Sequence, residues 1–328
     1  MKPHVVVTRA VFPSVLARLG EHFEVDYNDS GGVWDAAELA RRCHGKAGAF
    51  VTGGERIDAA LLDACPTLKA VCNMAVGYNN IDVDACTARG VVVTNTPDVL
   101  TETTADFGFA LMMATARRIA ESEHFLRRGE WTKWAYDMFA GSDVHGATLG
   151  ILGMGRIGQA VAKRGALGFG MKVIYHNRSR LAPELEAPLG ARYVSKEELL
   201  RECDHLVIVV PYSPASHHAI AAAELALMKP SATLTNIARG GVVDDAALAA
   251  ALRERRIAAA GLDVFEGEPK VHPDLLSVPN VVLTPHIASA TVATRRAMAS
   301  LAADNLIAAL TGGTPPTPIN PQVLPLKI

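Results

Sequence analysis

The chain has 328 residues, 49% of them apolar, and its 32 Lys and Arg against 34 Asp and Glu leave a formal net charge of −2. That length suggests two domains with a large buried core, and the near-neutral balance argues against a nucleic-acid or membrane-surface binder, which would be basic. The five cysteines, Cys43, Cys65, Cys72, Cys86 and Cys203, are scattered and form no CxxC pair, so neither a disulfide framework nor a zinc site is indicated and no metal is expected.

In chain order, the N-terminal residues run straight into an apolar segment with no signal-type region. No run approaches the roughly 18 apolar residues of a membrane span. A cytoplasmic protein is therefore expected. β-rich apolar runs at 5–8, 47–51, 68–74 and 91–94 alternate with helical patterns near 14–19, 36–43, 57–65 and 83–89, the last closed by Gly90. Such alternation means βαβ units and a parallel sheet covered on both faces. Residues 101–128 then read as one long helix, N-capped by Thr101. Phe107, Phe109, Leu111, Met112 and Met113 make it apolar on several sides, so it should be buried between domains or subunits. The aromatic segment containing Trp131, Trp134 and Tyr136 follows.

The most specific signal comes next. An apolar run at 148–152 leads into Gly153-Met154-Gly155-Arg156-Ile157-Gly158, a helical pattern at 159–169 and a second apolar run at 171–175. Strand, glycine turn, helix, strand is the context of a dinucleotide-binding βαβ unit. Its glycines let backbone approach a pyrophosphate, and the helix N-terminus offers that anion free N–H groups. The second strand ends in His176-Asn177-Arg178-Ser179-Arg180. An NAD site places a carboxylate about 20 residues on, for the ribose 2′-OH. Here there are two guanidiniums and a hydroxyl, suited to a 2′-phosphate. NADP(H) is the preferred reading, with Arg178 as main contact, Asn177, Ser179 and Arg180 assisting, and NAD(H) kept open.

Further strands are expected at 206–210, 232–237, 259–264 and 281–284, making six in this set. Residues 291–310 read as a closing helix, followed by a Pro-rich extended stretch at 315–325. The organisation is α/β, with two Rossmann-like or flavodoxin-like domains, parallel sheets flanked by helices, and an active-site cleft between them. Residues 1–100 plus 292–328 would form a substrate-binding domain, and 101–291 the dinucleotide-binding one. Three polar residues follow late strands, where open α/β sheets place ligands: Arg239 in Asn236-Ile237-Ala238-Arg239-Gly240-Gly241, Glu268 in Phe265-Glu266-Gly267-Glu268-Pro269, and His286 in Thr284-Pro285-His286-Ile287-Ala288-Ser289.

These blocks resemble the D-isomer-specific 2-hydroxyacid dehydrogenases over nearly the whole chain. Within that family they are most similar to the glyoxylate/hydroxypyruvate reductases, including those that reduce 2-ketogluconate. The family more often has Gly where Ala288 stands. The resemblance implies that His286 is the general acid, that Glu268 orients it and favours its charged form, and that Arg239 clamps the substrate carboxylate. Gly240 and Gly241 would let substrate and nicotinamide approach. It also implies substrate contacts from the backbone of Val76 and Gly77. Cofactor contacts would come from Thr104, Arg156, Ile157, Pro211, Ile237, Ala238, Ser289 and Asp263, the last facing the nicotinamide carboxamide.

A homodimer through residues 101–128 is a further implication, with the aromatic segment reaching a neighbouring site. Three rivals remain. An NAD-dependent 3-phosphoglycerate dehydrogenase lacks support because no acidic residue follows the second strand. A formate dehydrogenase would carry Gln in place of Glu268. The third, a dehydrogenase-fold corepressor that senses dinucleotide, can reuse fold and site alike.

Overall fold

The computed structural model describes residues 2–326. They form two compact units, one from the residues up to Leu100 and from Thr291 onward, the other Thr101–Ala290.

The first unit is built on five parallel strands, β1 (His4–Val7), β2 (Glu24–Tyr27), β3 (Gly48–Val51), β4 (Ala70–Asn73) and β5 (Val92–Thr94), in the order β2-β1-β3-β4-β5. Strands β3, β4 and β5 are buried throughout, which is why they read as unbroken apolar runs. Strand β2 escaped sequence reading for the opposite reason. Its residues Glu24-Val25-Asp26-Tyr27 sit at the sheet edge and are half-exposed or exposed, so they carry no apolar run. Helices Ala36–Cys43, Ala59–Ala64 and Val83–Ala88 start on Asp35, Asp58 and Asp82, each accepting a first-turn N–H. The helix Val292–Leu310 lays Ala299, Ala302 and Ala303 on the core of the other face. Its close approach explains Gly48, where a Cβ would lie 2.7 Å from Leu306 Cδ1.

The returning tail is stitched to β5, the last strand of the sheet, and covers its outer edge. Asn320 accepts the Val93 N–H and donates to Val91 O and Thr87 Oγ1.

The second unit carries seven parallel strands, β6 (Thr148–Leu152), β7 (Lys172–His176), β8 (Arg192–Tyr193), β9 (His205–Ile208), β10 (Thr233–Asn236), β11 (Ala259–Leu262) and β12 (Val281–Leu283). Their order is β12-β11-β10-β9-β6-β7-β8. This is the doubly wound arrangement with one strand beyond the six expected; β8 has two residues, too few for a periodic signal. The strand order reverses between β6 and β9, so the loops leaving these two neighbours diverge and open a crevice.

The expected helix 101–128 is two helices, Thr101–Ala116 and Ile119–Arg127. The break falls at Arg118, whose φ of 52° is left-handed and whose guanidinium pairs with Glu121. The first helix packs one face on its own sheet. A Cβ on Gly261 of β11 would lie 2.4 Å from Thr115 Oγ1 and 2.9 Å from Leu111 Cγ. The second helix buries none of its residues; Leu126 within it and Trp131, Trp134 and Tyr136 beyond it are exposed.

Asn320→Ala should lower stability by about 1–3 kcal/mol, because it strands the buried Val93 N–H and Val91 carbonyl. Urea unfolding reads this; an unchanged midpoint would show that the stitch contributes nothing.

Candidate active site

Three neighbouring strands, β10, β11 and β12, present their C-terminal loops side by side, and the structure brings the three singled-out residues of those loops together. His286 Nδ1 lies 2.8 Å from Glu268 Oε2. The other carboxylate oxygen, Oε1, accepts the Phe265 N–H at 2.9 Å. Glu268 is thus fixed at both oxygens, and it fixes the ring in turn. With Nδ1 engaged, the proton sits there and Nε2 is the nitrogen presented outward. Burial pushes the Glu268 carboxyl up. The hydrogen bond and charge of His286, the Phe265 N–H and the charge of Arg239 outweigh that and hold it below the usual carboxylate range. The carboxylate therefore stays ionised at neutral pH, and the pair is lost only as the pH falls below that range.

Arg239 is half-buried, with Nη1 donating to Ala238 O at 2.7 Å. Burial pulls its guanidinium pKa below the usual value, a shift that the nearby Glu268 charge offsets only in part. The loop that carries it is shaped by the buried Asn236, which accepts the Ala238 N–H and donates to Arg239 O. Gly240 has a purpose that sequence reading did not assign. A Cβ there would lie 1.7 Å from Phe265 O and 2.1 Å from its carbonyl carbon. Only glycine lets the backbone after Arg239 lie flat on the backbone that leads to Glu268.

His286 itself takes a left-handed φ of 55°, a conformation that costs an L-residue roughly 1–2 kcal/mol. Asp263 holds it there. This carboxylate is wholly buried at the end of β11. One oxygen accepts from Thr284 Oγ1 at 2.7 Å and Ile287 N at 2.8 Å, the other from Ala288 N at 2.8 Å. Donors on both sides of His286 thus converge on one anion, the same carboxylate that is expected to meet a nicotinamide carboxamide. Glu266 lies two residues before Glu268 in the same loop. It is engaged elsewhere, with Oε2 at 3.0 Å from His218 Nε2 and its N–H on Asp245.

The glycine turn after β6 fits a pyrophosphate. Gly153 has a φ of 103°, and a Cβ there would strike Val210 N at 2.7 Å; one on Gly158 would lie 2.3 Å from Gly153 O. Gly155 differs, since a Cβ there meets nothing within 4 Å. Protein packing does not demand glycine at that point, and the open space would let a ligand approach the backbone closely. Helix Arg156–Lys163 begins at Gly155 with no side-chain cap, unlike the Asp-capped helices, as a helix start that receives an anion would. Arg156 and Ile157 open that helix. The buried Thr104 hydroxyl has no hydrogen-bond partner among the described residues. Ile237 and Ala238 are buried, Ser289 is half-buried, and Pro211 is exposed with its carbonyl accepting from Ser216 Oγ.

Beyond β7, Asn177 Oδ1 accepts the Met154 N–H at 2.6 Å, which ties this loop to the glycine turn. Arg178 and Ser179 are exposed. Arg180 is committed: its Nε and Nη2 grip Glu186, a residue that sequence reading passed over. Nothing in the spacing pointed to Glu186, because its partner Tyr175 lies on the strand before. In the first unit, the carbonyls of Val76 and Gly77 are tied down by Asn95 and Asn73. Their N–H groups make no backbone hydrogen bond among the described residues, so they remain available as donors.

A doubly wound unit with an imidazole–carboxylate pair and an arginine at its late strand ends defines a class, the dinucleotide-dependent oxidoreductases. Residues 109–288 match the family model described as D-isomer specific 2-hydroxyacid dehydrogenase, NAD binding domain. A glyoxylate reductase of Thermococcus onnurineus is 51% identical, over 100% of this chain and 98% of its own length. One from Aeropyrum pernix is 47% identical, over 99% and 98%. Among solved structures, the NADPH-dependent glyoxylate/hydroxypyruvate reductase of Sinorhizobium meliloti, in complex with NADP and malonate, matches with a TM-score of 0.86 and 40% identity, covering 97% of each chain. The chain belongs to the D-isomer specific 2-hydroxyacid dehydrogenase family and is an enzyme of that family with a nicotinamide-dinucleotide-binding domain. No helix among the described residues is long and apolar enough to cross a membrane.

Asp263→Asn should lower kcat about 10- to 100-fold, since an amide cannot accept at both ends and a small displacement of His286 is enough. Steady-state kinetics checks this; full turnover would mean that the turn holds itself.

Proposed function

We propose that this enzyme reduces small 2-keto acids to D-2-hydroxy acids. Glyoxylate and hydroxypyruvate are the first candidates and 2-ketogluconate a further one, with NADPH preferred over NADH. The observation that carries the reading is the 2.8 Å contact of His286 Nδ1 with Glu268 Oε2 beside Arg239. The names of the glyoxylate reductase relatives support the substrate class. The absence of a carboxylate from residues 176–180 and the exposed Arg178 support the cofactor.

The bound reduced nicotinamide supplies the hydride that reaches C2 of the keto acid. Arg239 grips the substrate carboxylate with its planar fork and draws charge from the ketone. The N–H groups of Val76 and Gly77 serve the same carboxylate. His286 delivers a proton from Nε2 to the ketone oxygen as negative charge builds on it. Glu268 keeps the ring in the tautomer and orientation that this needs, and its own charge balances the protonated ring. Gly153, Gly155, Arg156, Ile157 and Gly158 hold the pyrophosphate. Thr104, Pro211, Ile237, Ala238 and Ser289 line the cofactor's path. Residues up to 100 and beyond 291 serve substrate binding, and the unit between them serves the dinucleotide. Exposed Leu126, Trp131, Trp134 and Tyr136 favour a homodimer, read by sedimentation.

Purified protein should oxidise NADPH when glyoxylate or hydroxypyruvate is added, and do so more efficiently than NADH. His286→Asn should cost about 10²- to 10⁴-fold in kcat. Arg178→Ala should raise the NADPH KM about 10- to 150-fold, the worth of one charged phosphate contact. A protein that binds NADPH without oxidising it would support the corepressor reading. Undiminished turnover by His286→Asn would remove the proposed acid.

A further inference from the structure

We infer that Glu186 sets how strongly this enzyme prefers NADPH over NADH, by neutralising Arg180 at the 2′-phosphate end of the cofactor site. The inference rests on the NADP(H) reading above.

The loop after β7 carries two arginines, and a 2′-phosphate is close to a dianion at neutral pH, its second ionisation falling near pH 6. Two guanidiniums would match that charge. In the structure only one of them is uncommitted. Arg180 Nε lies 2.9 Å from Glu186 Oε1 and Nη2 lies 2.7 Å from Oε2, a fork-to-fork pair. Arg178 has no protein partner among the described residues.

Glu186 cannot swing aside when a ligand arrives. Its side chain is 7% exposed while that of Arg180 is 63% exposed. Tyr175, fully buried on β7, donates its hydroxyl to Glu186 Oε1 at 2.5 Å, and that hydroxyl accepts the Leu181 N–H at 2.8 Å. The carboxylate is therefore fixed from the strand below, with its charge firmly in place. Hydrogen bonds from Arg180 and then from Tyr175 hold its pKa down to about 2. Tyr193 completes the frame, packing edge-on against Tyr175 and donating to Asn177 O.

A fixed anion behind Arg180 leaves the loop with a net charge of about one positive unit instead of two. The phosphate then draws its affinity chiefly from Arg178, and a ribose with a bare 2′-OH loses less by comparison. Glu186 thus moderates the discrimination without touching either cofactor, and Arg180 shapes the loop more than it binds phosphate.

The test uses the full chain and measures kcat/KM for NADPH and NADH with glyoxylate. Glu186→Gln keeps the shape and an acceptor for Tyr175 but removes the charge. It should raise the NADPH/NADH preference about three- to tenfold, the size expected for one charge acting on another through a partly solvated loop. NADH, which lacks the 2′-phosphate, should be unaffected and serves as the folding control. A second variant, Glu186→Gln on an Arg180→Ala background, should leave the preference of the Arg180→Ala protein unchanged, because there is no longer a charge to release. An unchanged or lowered preference in Glu186→Gln overturns the inference. So does a parallel loss with both cofactors, which would make the cluster a support of the fold alone. Arg178→Ala keeps the two readings apart. If it leaves the NADPH KM unaltered, the NADP(H) reading itself falls; if it collapses NADPH use while Glu186→Gln does nothing, only the role of Glu186 falls.

Discussion

The geometry of the candidate active site depends on one buried anion. A carboxylate taken from water with no partners is prohibitively costly. Asp263 is tolerable only because Thr284, Ile287 and Ala288 supply three donors at hydrogen-bond distance. The same three bonds bend residues 284–288 around it and force His286 into a left-handed backbone. The cost of placing the ring is met in the core of the unit, away from the reacting atoms. A second constraint acts from the other side. Gly240 brings the Arg239 loop against the backbone of Phe265, and the Phe265 N–H steadies Glu268. Arginine, carboxylate and imidazole therefore ride on loops that are locked by backbone contacts, which is what preorganisation requires.

Much of this architecture was legible in the sequence, for identifiable reasons. Strands buried on both faces leave unbroken apolar runs, so β3, β4, β6 and β9 stood out. The glycine turn announced itself because three of its residues must be glycine or gain from being so. The trio was visible because strand ends are where a doubly wound sheet presents chemistry. What stayed hidden has a common cause. Strand β2 is half-solvated and β8 is too short, so neither carries a periodic apolar signal. The break at Arg118 uses a left-handed arginine with no glycine or proline to mark it. The apolar helix 101–116 is expected at an interface; the glycines at 108 and 261 also show how closely it sits on its own sheet, which its apolar pattern did not encode.

The supporting residues were less legible than the reacting ones. Asp263, Asn236, Gly240 and Glu186 act through partners distant in the chain, and spacing does not encode such contacts. The decision between Glu266 and Glu268 shows the same limit. Both follow β11 within a few residues, and only the turn geometry sends one to His218 and the other to His286. The cofactor end repeats the pattern. Two arginines after β7 read as equals in the sequence, whereas a buried acid below them makes them unequal.

The central claim is that Glu268 acts through His286 and not independently of it. The most direct measurement is a double-mutant cycle on kcat with Glu268→Gln, His286→Asn and the double variant. The account predicts strong non-additivity, with the double variant no slower than His286→Asn alone, because the carboxylate has nothing left to orient. Losses that simply multiply would show two independent contributions and contradict the account.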